Sequence, residues 1–330
     1  MGPEFQLIET FVAAAAVSPR SPAGPGDDVA LLPRTRGETC VTVDAVVEDA
    51  HFRRRSSRLE DVGHKALAVN LSDLAAMGAT PRWALVALGV PRGFRLADAR
   101  RLGAGFGALA RATGTALVGG NVTGAPGLAL TVTVGGEVPA RRALLRSGAR
   151  PGDEVWVSGT LGDARLGLAL LERPRGPEAR RLRGTLRLSR SALARLRRPT
   201  PRLALGRALV GLATSCIDLS DGLVQDAGHV AGGSRVALHL DAWALPASAA
   251  VAAAWPDARW RARAMAAGGE DYELLFCAEP SERERLGELL DGPGLAPLTW
   301  LGEVHPGPPR AELRDEQGEP VLIEGYEHRW

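Results

Sequence analysis

Lysine is almost missing from this chain of 330 residues: Lys65 is the single lysine, and arginine supplies the remaining positive charge. A Walker-type phosphate loop needs a glycine-rich turn that ends in Gly-Lys followed by Ser or Thr. Lys65 does not follow such a turn, so the sequence excludes a P-loop NTPase. Any phosphate group must be held in another way.

Long apolar runs and paired cysteines are also lacking. No uncharged stretch of about 18 residues exists that could span a bilayer, and the start of the chain has no basic region followed by an apolar segment. The three cysteines, Cys40, Cys216 and Cys277, stand far apart in apolar runs and form no Cys-x-x-Cys pair. We therefore predict a cytoplasmic protein without a membrane role, with cysteines that act as buried small hydrophobic residues.

The length predicts two domains, because one domain usually takes about 100–200 residues. Apolar runs bounded by Gly, Pro and Asp predict strands near 40–47, 84–90, 115–118, 128–134, 153–158, 213–219, 234–240, 272–277 and 298–303. Helical patterns fall near 62–77, 97–112, 161–172, 186–196, 201–211, 222–231 and 281–290. Because the strands do not alternate regularly with helices, we predict an α+β protein of two mixed-sheet domains. A polar Gly/Pro stretch that begins at Arg146 predicts the boundary, with domains 1–145 and 146–330.

Aspartates gather at predicted strand ends and turns. They occur in Gly26-Asp27-Asp28, Val43-Asp44, Ser72-Asp73 and Asp218-Leu219-Ser220-Asp221-Gly222. Magnesium prefers oxygen ligands and binds through a few carboxylates together with phosphate oxygens. The clusters are therefore candidate metal ligands. Each one alone is also ordinary turn or cap chemistry.

Two of these clusters and one glycine-rich segment allow a more specific prediction. Strand alternation puts Asp218 and Ser220 on one face, and Asp221 then turns the chain toward a helix. The apolar helix predicted at 62–77 has Asp61 as its N-terminal cap and contains Asp73. Asp73 is either a metal ligand or part of an exposed polar stripe on this helix. The glycine-rich segment 119–124 follows a predicted strand and offers backbone amides to phosphate, or is only a hairpin turn.

The segment 172–202 is strongly basic. It could form a nucleic-acid patch, or a pair of solvated helices in an arginine-favouring composition. No aromatic residue is interleaved for base stacking, which favours the solvated helices.

Taken together, several segments resemble thiamine-monophosphate kinases. They are Gly26–Asp28, Val43-Asp44 with His51-Phe52, Lys65–Ala79, Arg146–Asp153, Ile217–Gly222, Gly268–Leu274 and Gly325–His328. The match runs in order over nearly the whole chain, and the block at 65–79 together with Gly-Gly-Glu-Asp-Tyr-Glu-Leu is its most specific part.

The resemblance implies the fold shared by aminoimidazole-ribonucleotide synthetase and selenophosphate synthetase, with a dimer formed through the N-terminal domains. It implies ATP and several Mg²⁺ ions between the domains. Carried over by position, the metal ligands are Asp28, Thr42, Asp44, Asp73, Asn121, Asp218 and Asp221. Gly120, Asn121, Arg146 and Ser220 would contact ATP, and His51, Glu270 and Tyr326 would hold thiamine monophosphate.

The implied reaction is in-line transfer of the γ-phosphoryl group of ATP to thiamine monophosphate, in thiamine diphosphate biosynthesis. An anionic phosphate acceptor needs no general base, so no catalytic side chain of that kind is expected. Family members usually carry aspartate in place of Asn121 and a hydroxyl residue in place of Val43, so one metal site is expected to be weaker. Two alternatives stay open: an enzyme of the same superfamily with another phosphate acceptor, and a catalytically weakened nucleotide-binding homologue.

Overall fold

The computed structural model describes residues 2–15, 29–32, 34–172, 189–290 and 295–323. Asp28, Tyr326 and residues 173–188 of the arginine-rich segment therefore lie outside the described residues. The chain forms two compact units. Unit 1 comprises Met1–Leu74 and Ala79–Arg141, and unit 2 comprises Ala75–Gly78 and Arg142–Trp330.

Unit 1 is built on a four-stranded mixed sheet. Its helices are α1 (Pro3–Ala15), α2 (Leu59–Ala76) and α3 (Leu96–Thr113), and its strands are β1 (Glu38–Val47), β2 (Thr80–Val90), β3 (Ala116–Gly124) and β4 (Ala129–Val138). The strand order is β1-β4-β2-β3. Strand β4 runs antiparallel to both of its neighbours, whereas β2 and β3 are parallel. Strands β1 and β3 are thus the two edges of the sheet.

Alternation along the strands gives this sheet one buried and one exposed face. Ala84, Val86 and Val132 lie in the buried face and are at most 4% exposed. On the other face, Val41 and Val43 are 59% and 60% exposed. The unit therefore leaves apolar surface uncovered on one side of its sheet.

Helix α2 is buried around most of its circumference, which explains its apolar sequence. Its predicted existence is confirmed, but its start is earlier than the sequence indicated. Asp61 was expected to cap the helix, and it instead lies in the first turn after Leu59. Two acids in this first turn still interact favourably with the positive end of the helix dipole.

Unit 2 contains a six-stranded mixed sheet. Its strands are β5 (Glu154–Ser158), β6 (Ala213–Asp218), β7 (Ala237–Asp241), β8 (Leu274–Ala278), β9 (Leu298–His305) and β10 (Arg310–Arg314), in the order β10-β7-β9-β5-β8-β6. Its described helices are α4 (Asp163–Glu172), α5 (Ser189–Arg197), α6 (Leu203–Leu209), α7 (Leu223–Ser234), α8 (Ala249–Ala254), α9 (Ala258–Ala267) and α10 (Arg283–Leu290), with 3-10 turns at Ala242–Ala244 and Pro280–Glu282. Among these six strands of the described residues, β7 and β10 form the only parallel pair.

The prediction of two mixed sheets is confirmed by this topology. The sequence patterns missed α1, α8, α9 and β10. They were wrong about the segment 119–124, which is not a turn but the last six residues of strand β3.

The cysteines agree in part with their predicted role. Cys216 and Cys277 are buried, and burial raises the pKa of both thiols. Cys40 is only half-buried, and burial followed by the charge of Glu38 raises the pKa of its thiol. Among the described residues, no helix is long and apolar enough to cross a membrane.

Candidate functional site

A hydroxyl and a carboxylate predicted as metal ligands meet in unit 1. Thr42 on β1 donates a hydrogen bond from Oγ1 to Asp73 Oδ2 at 2.6 Å, across a sequence separation of 31 residues. Asp73 is half-buried on α2, between the fully buried Leu71 and Leu74. Its carboxylate is therefore held against the edge strand by its neighbours rather than displayed in an exposed polar stripe.

Asp44 follows two residues after Thr42 on β1, so strand alternation puts both side chains on the same side. Asp44 is exposed, and its Oδ1 accepts a hydrogen bond from the Ala45 amide at 2.6 Å. This edge of the sheet thus carries the side-chain oxygen atoms of Thr42, Asp44 and Asp73. Hard oxygen atoms of this kind are the metal ligands that Mg²⁺ prefers. Over the part of the chain that the structure describes, no three Asp, Glu, His or Cys side chains converge as a metal site, so the metal assignment stays a prediction.

Gly120 and Asn121 lie at the opposite edge of the same sheet, on β3. The register runs from Asp44 through Val132 and Val86 to Gly120, and Asn121 is one step further along. Asn121 is exposed. Three strand spacings separate the two edges, which corresponds to about 14 Å. Within one chain, Asn121 and Asp44 therefore do not lie side by side.

His51 lies in a tight turn after β1. Its Nδ1 accepts a hydrogen bond from the Val47 amide at 3.1 Å, and Lys65 Nζ donates to the His51 carbonyl at 3.4 Å. A ring nitrogen that accepts from an amide carries no proton, so this contact places the ring proton on Nε2. The half-buried imidazole is thus fixed in orientation, with Nε2 as its hydrogen-bond donor.

The candidate residues of unit 2 come together where β6 ends. Asp218 is the last residue of β6 and is 4% exposed, while Ser220 and Asp221 are half-buried in the following turn. The Glu270 amide donates to the Ser220 carbonyl at 2.8 Å. The structure therefore joins the predicted metal and ATP residues of this turn to a predicted substrate residue.

The segment that carries Glu270 has an unusual backbone. Glu270 and Tyr272 have φ values of 68° and 49°, in the left-handed region that non-glycine residues rarely adopt. The Tyr272 amide donates to the Leu219 carbonyl at 2.8 Å, which ties the segment to the turn after β6. Strain of this kind persists where the surrounding contacts fix the backbone, and it is common at ligand-binding sites.

Arg146 lies beside the same strand. The Cys216 amide on β6 donates to the Leu145 carbonyl at 2.8 Å, and Ser234 Oγ donates to the Arg146 carbonyl at 3.2 Å. The Arg146 side chain is exposed. Its backbone is anchored, and its guanidinium is accessible to an anion.

Asp226 on α7 belongs to this corner, although the sequence patterns did not single it out. Its Oδ2 accepts hydrogen bonds from the amides of Ser220, Asp221 and Gly222 at 3.0, 3.1 and 3.1 Å. Burial raises the pKa of the Asp226 carboxyl to about 7, the Asp221 charge also raises it, and the three amides oppose that shift. A sequence pattern could have identified Asp226: it is an acid in the first turn of a helix, four residues after the glycine of Asp221-Gly222.

Glu273 is a second acid that the sequence patterns missed. It is fully buried and accepts hydrogen bonds from Ser158 Oγ at 2.5 Å, Arg195 Nη2 at 2.5 Å and Arg202 Nε at 2.6 Å. Burial lowers the pKa of the Arg195 guanidinium, but the Glu273 and Asp271 charges raise it above its usual value.

The prediction of a merely solvated arginine-rich face is therefore wrong for Arg195 and Arg202. Their side chains are only 19% exposed, and they neutralise the acid that follows Tyr272. These two arginines stabilise the segment that presents Glu270.

Comparisons with known proteins identify relatives of the whole chain. Residues 26–138 match the family of AIR synthase related proteins, N-terminal domain. The thiamine-monophosphate kinase of Salmonella typhimurium is 39% identical over 341 aligned residues, covering 98% of this chain and 98% of that protein. The crystal structure of thiamine-monophosphate kinase from Stenotrophomonas maltophilia is 39% identical, covers 96% of this chain and 98% of that chain, and superposes with a TM-score of 0.83.

A structure of AaThiL complexed with AMPPCP and TMP is also similar. It is 31% identical, covers 99% of this chain and 97% of that chain, and has a TM-score of 0.76. Identity at this level over nearly the full length, together with the same fold, leaves one assignment: this chain belongs to the thiamine-monophosphate kinase family.

Proposed function

We propose that this protein phosphorylates thiamine monophosphate with ATP, giving thiamine diphosphate and ADP in thiamine diphosphate biosynthesis. The observation that carries the proposal is the full-length similarity to AaThiL, which was solved with an ATP analogue and TMP. An enzyme that uses another phosphate acceptor remains the second candidate, and no contact among the described residues favours it.

The reaction needs positioning and charge neutralisation more than proton transfer. An anionic oxygen of the acceptor phosphate forms a bond to the γ-phosphorus of ATP, and the bond from that phosphorus to the β,γ-bridging oxygen breaks as ADP leaves. The acceptor oxygen is already deprotonated at neutral pH, so a general base is unnecessary. We propose that His51, Glu270 and Tyr326 hold the acceptor, and that Gly120, Asn121, Arg146 and Ser220 contact ATP.

We propose Mg²⁺ as the metal, because the predicted ligands are hard oxygen donors. They are Asp28, Thr42, Asp44, Asp73, Asn121, Asp218 and Asp221. The 2.6 Å hydrogen bond between Thr42 and Asp73 supports this proposal, because it holds two of the metal ligands in place before the metal binds. Bound Mg²⁺ would neutralise charge on the phosphate oxygens. We assign ATP and metal binding and dimerisation to residues 1–145, completion of the site to residues 146–330, and a cytoplasmic location to the protein.

The first test is a direct assay. The purified chain, given ATP, Mg²⁺ and a panel of phosphorylated metabolites, is expected to form thiamine diphosphate from thiamine monophosphate, read by mass spectrometry. Chelation with EDTA should abolish the product, and added Mg²⁺ should restore it. Product from a different acceptor at high Mg²⁺, with none from thiamine monophosphate, would contradict the assignment.

We further propose a homodimer formed through the exposed sheet face of unit 1. Val41 and Val43 leave apolar surface uncovered on that face. Asp44 and Asn121 lie at opposite edges of the sheet, too far apart to share a cation whose oxygen ligands lie about 2.1 Å from it. If β1 of one protomer lies next to β3 of the other, Asp44 would lie beside the strand that carries the partner's Gly120 and the partner's Asn121. A dimer would then complete each site.

Val41→Glu tests the dimer, because it puts a charge on the apolar face, on the edge strand β1 where the two protomers would meet. We expect the variant to sediment as a monomer and to lose activity, whereas the wild type sediments as a dimer. Leu96→Glu is the matched control, since Leu96 is 41% exposed and begins helix α3 rather than lying on the sheet face. A wild-type protein that is monomeric and fully active would overturn the proposal.

A further inference from the structure

The turn between β6 and α7 is organised by a single buried acid. Asp226 is 2% exposed and directs one oxygen, Oδ2, at three consecutive backbone amides, those of Ser220, Asp221 and Gly222. Three consecutive amides that converge on one point form an anion-binding concavity of the kind that often receives phosphate. Here the protein's own carboxylate occupies it.

The neighbouring backbone groups of this turn are used as well. The Leu219 amide donates to the Glu273 carbonyl at 2.8 Å, and the Ser220 carbonyl accepts from the Glu270 amide. All four amides from Leu219 to Gly222 are therefore bonded within the protein. A nucleotide phosphate that approaches this turn cannot use them as donors while Asp226 keeps its place.

The backbone of the turn has an unusual conformation beside the same contact. Gly222 has a φ of 123°, a value that L-residues rarely adopt, and it directly precedes α7. Asp226 lies in the first turn of that helix, where a negative charge is favoured by the helix dipole. Folding of the helix thus brings the carboxylate to the amides, and the amides fix the turn.

We propose that Asp226 is a positioning residue for nucleotide binding: it holds the turn so that the Ser220 hydroxyl and the Asp221 carboxylate, rather than the backbone amides, face the bound nucleotide. The proposal rests on the assignment of Ser220 and Asp221 to the ATP and metal site. Asp226 itself does not touch the ligand. It acts through the conformation of the turn, as residues behind metal ligands do in other proteins.

The prediction concerns Asp226→Ala and Asp226→Asn in the full-length protein. We expect Asp226→Ala to weaken binding of Mg²⁺-AMPPCP by about 10- to 100-fold, the usual loss when a supporting contact behind a ligand is removed. Affinity for thiamine monophosphate without nucleotide should change less. Asp226→Asn keeps one acceptor oxygen without the charge, so its loss should lie between those of wild type and Asp226→Ala. Calorimetry measures both affinities.

Hydrogen exchange provides a readout that does not depend on activity. Without nucleotide, the amides of Ser220, Asp221 and Gly222 should exchange slowly in wild type and faster in Asp226→Ala, because they lose their common acceptor. Asp98→Asn is the control for general destabilisation, since Asp98 is 5% exposed and accepts from the Arg95 amide in unit 1. It should leave nucleotide affinity and the exchange of the turn unchanged.

The outcomes separate this proposal from the proposed function. A wild type that forms no thiamine diphosphate removes the function, while the exchange experiment still reports on the turn. A folded Asp226→Ala protein with wild-type exchange and wild-type nucleotide affinity would overturn the role of Asp226. If the Asp226→Ala protein does not fold, Asp226→Asn alone decides the question. Wild-type hydrogen exchange together with wild-type nucleotide affinity in Asp226→Asn would also overturn the role of Asp226.

Discussion

Replacing Asp73 by asparagine is expected to lower kcat/KM for phosphoryl transfer by about 10²- to 10³-fold, the range observed when one preorganised electrostatic contact to a transition state is removed. The change keeps the shape of the side chain and removes its charge. Thr42 Oγ1 donates to Asp73 Oδ2 at 2.6 Å, so the carboxylate is already held in place before any ligand binds. Loss of one negative charge from the proposed metal ligands should weaken Mg²⁺ binding. Raising the Mg²⁺ concentration should therefore recover part of the activity.

Two further variants separate the effect of the Asp73 charge from the effects of its hydrogen bond and of other acids on the same helix. Thr42→Val removes the hydroxyl that orients the carboxylate and should have a smaller effect than Asp73→Asn. Asp61→Asn removes an acid from the first turn of the same helix and should leave the kinetics near wild type. Steady-state rates measured across a Mg²⁺ titration would decide. An Asp73→Asn enzyme with wild-type kcat/KM and Mg²⁺ dependence would exclude Asp73 as a ligand.

Local periodicity was enough to predict much of this region. The apolar spacing of α2 placed Asp73 in a helix, and the apolar run at 40–47 placed Thr42 and Asp44 in a strand. Both patterns depend on burial along one element, which the sequence records directly. The meeting of Thr42 with Asp73 follows from packing, and only the family resemblance had joined them beforehand.

Strand β3 shows where local patterns mislead. The glycines at 119–120 indicated a turn, because glycine most often serves as a conformational breaker. In the sheet, a Cβ added to Gly120 would lie 2.1 Å from the Val86 carbonyl oxygen. This glycine therefore permits close approach of two strands, a requirement that depends on the neighbouring strand and is invisible in the local sequence.

Long-range polar contacts were the other gap. Arg195 and Arg202 bind Glu273 across 78 and 71 residues of sequence, and composition alone made them part of a solvated basic segment. A fully buried acid requires charged partners, but no pattern within the sequence says which arginines reach it. Asp226 is a different case, because its partners are backbone amides only four to six residues away.

Arg202→Ala is expected to lower the free energy of unfolding by about 3–5 kcal/mol, the usual loss when one partner of a buried ion pair is removed. Glu273 is fully buried and accepts from Arg195, Arg202 and Ser158, so loss of one arginine leaves its charge incompletely compensated. Glu273→Gln should also destabilise the protein, because the guanidinium groups of Arg195 and Arg202 then lose the negative charge that they neutralise. Urea denaturation of the full chain measures both changes.

The pair of Arg285 with Glu282 supplies the matched control. It joins residues three apart, and the Arg285 side chain is 59% exposed, so Arg285→Ala should change stability by less than about 1 kcal/mol. In the double variant Arg202→Ala with Glu273→Gln, the two losses should be less than additive, because both remove the same interaction. A loss for Arg202→Ala no greater than that for Arg285→Ala would show that the buried cluster is not a stabilising unit.

The same variants connect stability to the proposed acceptor site. Glu270 and Tyr272 keep left-handed backbone conformations directly before Glu273, and such strain needs fixed surroundings. When the arginine contacts are weakened, the segment is expected to relax, and KM for thiamine monophosphate should rise more than KM for ATP in Arg202→Ala. Arg202→Lys keeps the charge but not the two-point geometry that Arg202 makes with Glu273, so it should recover only part of the stability and of the acceptor affinity. Equal changes in the two KM values would assign the cluster to stability alone.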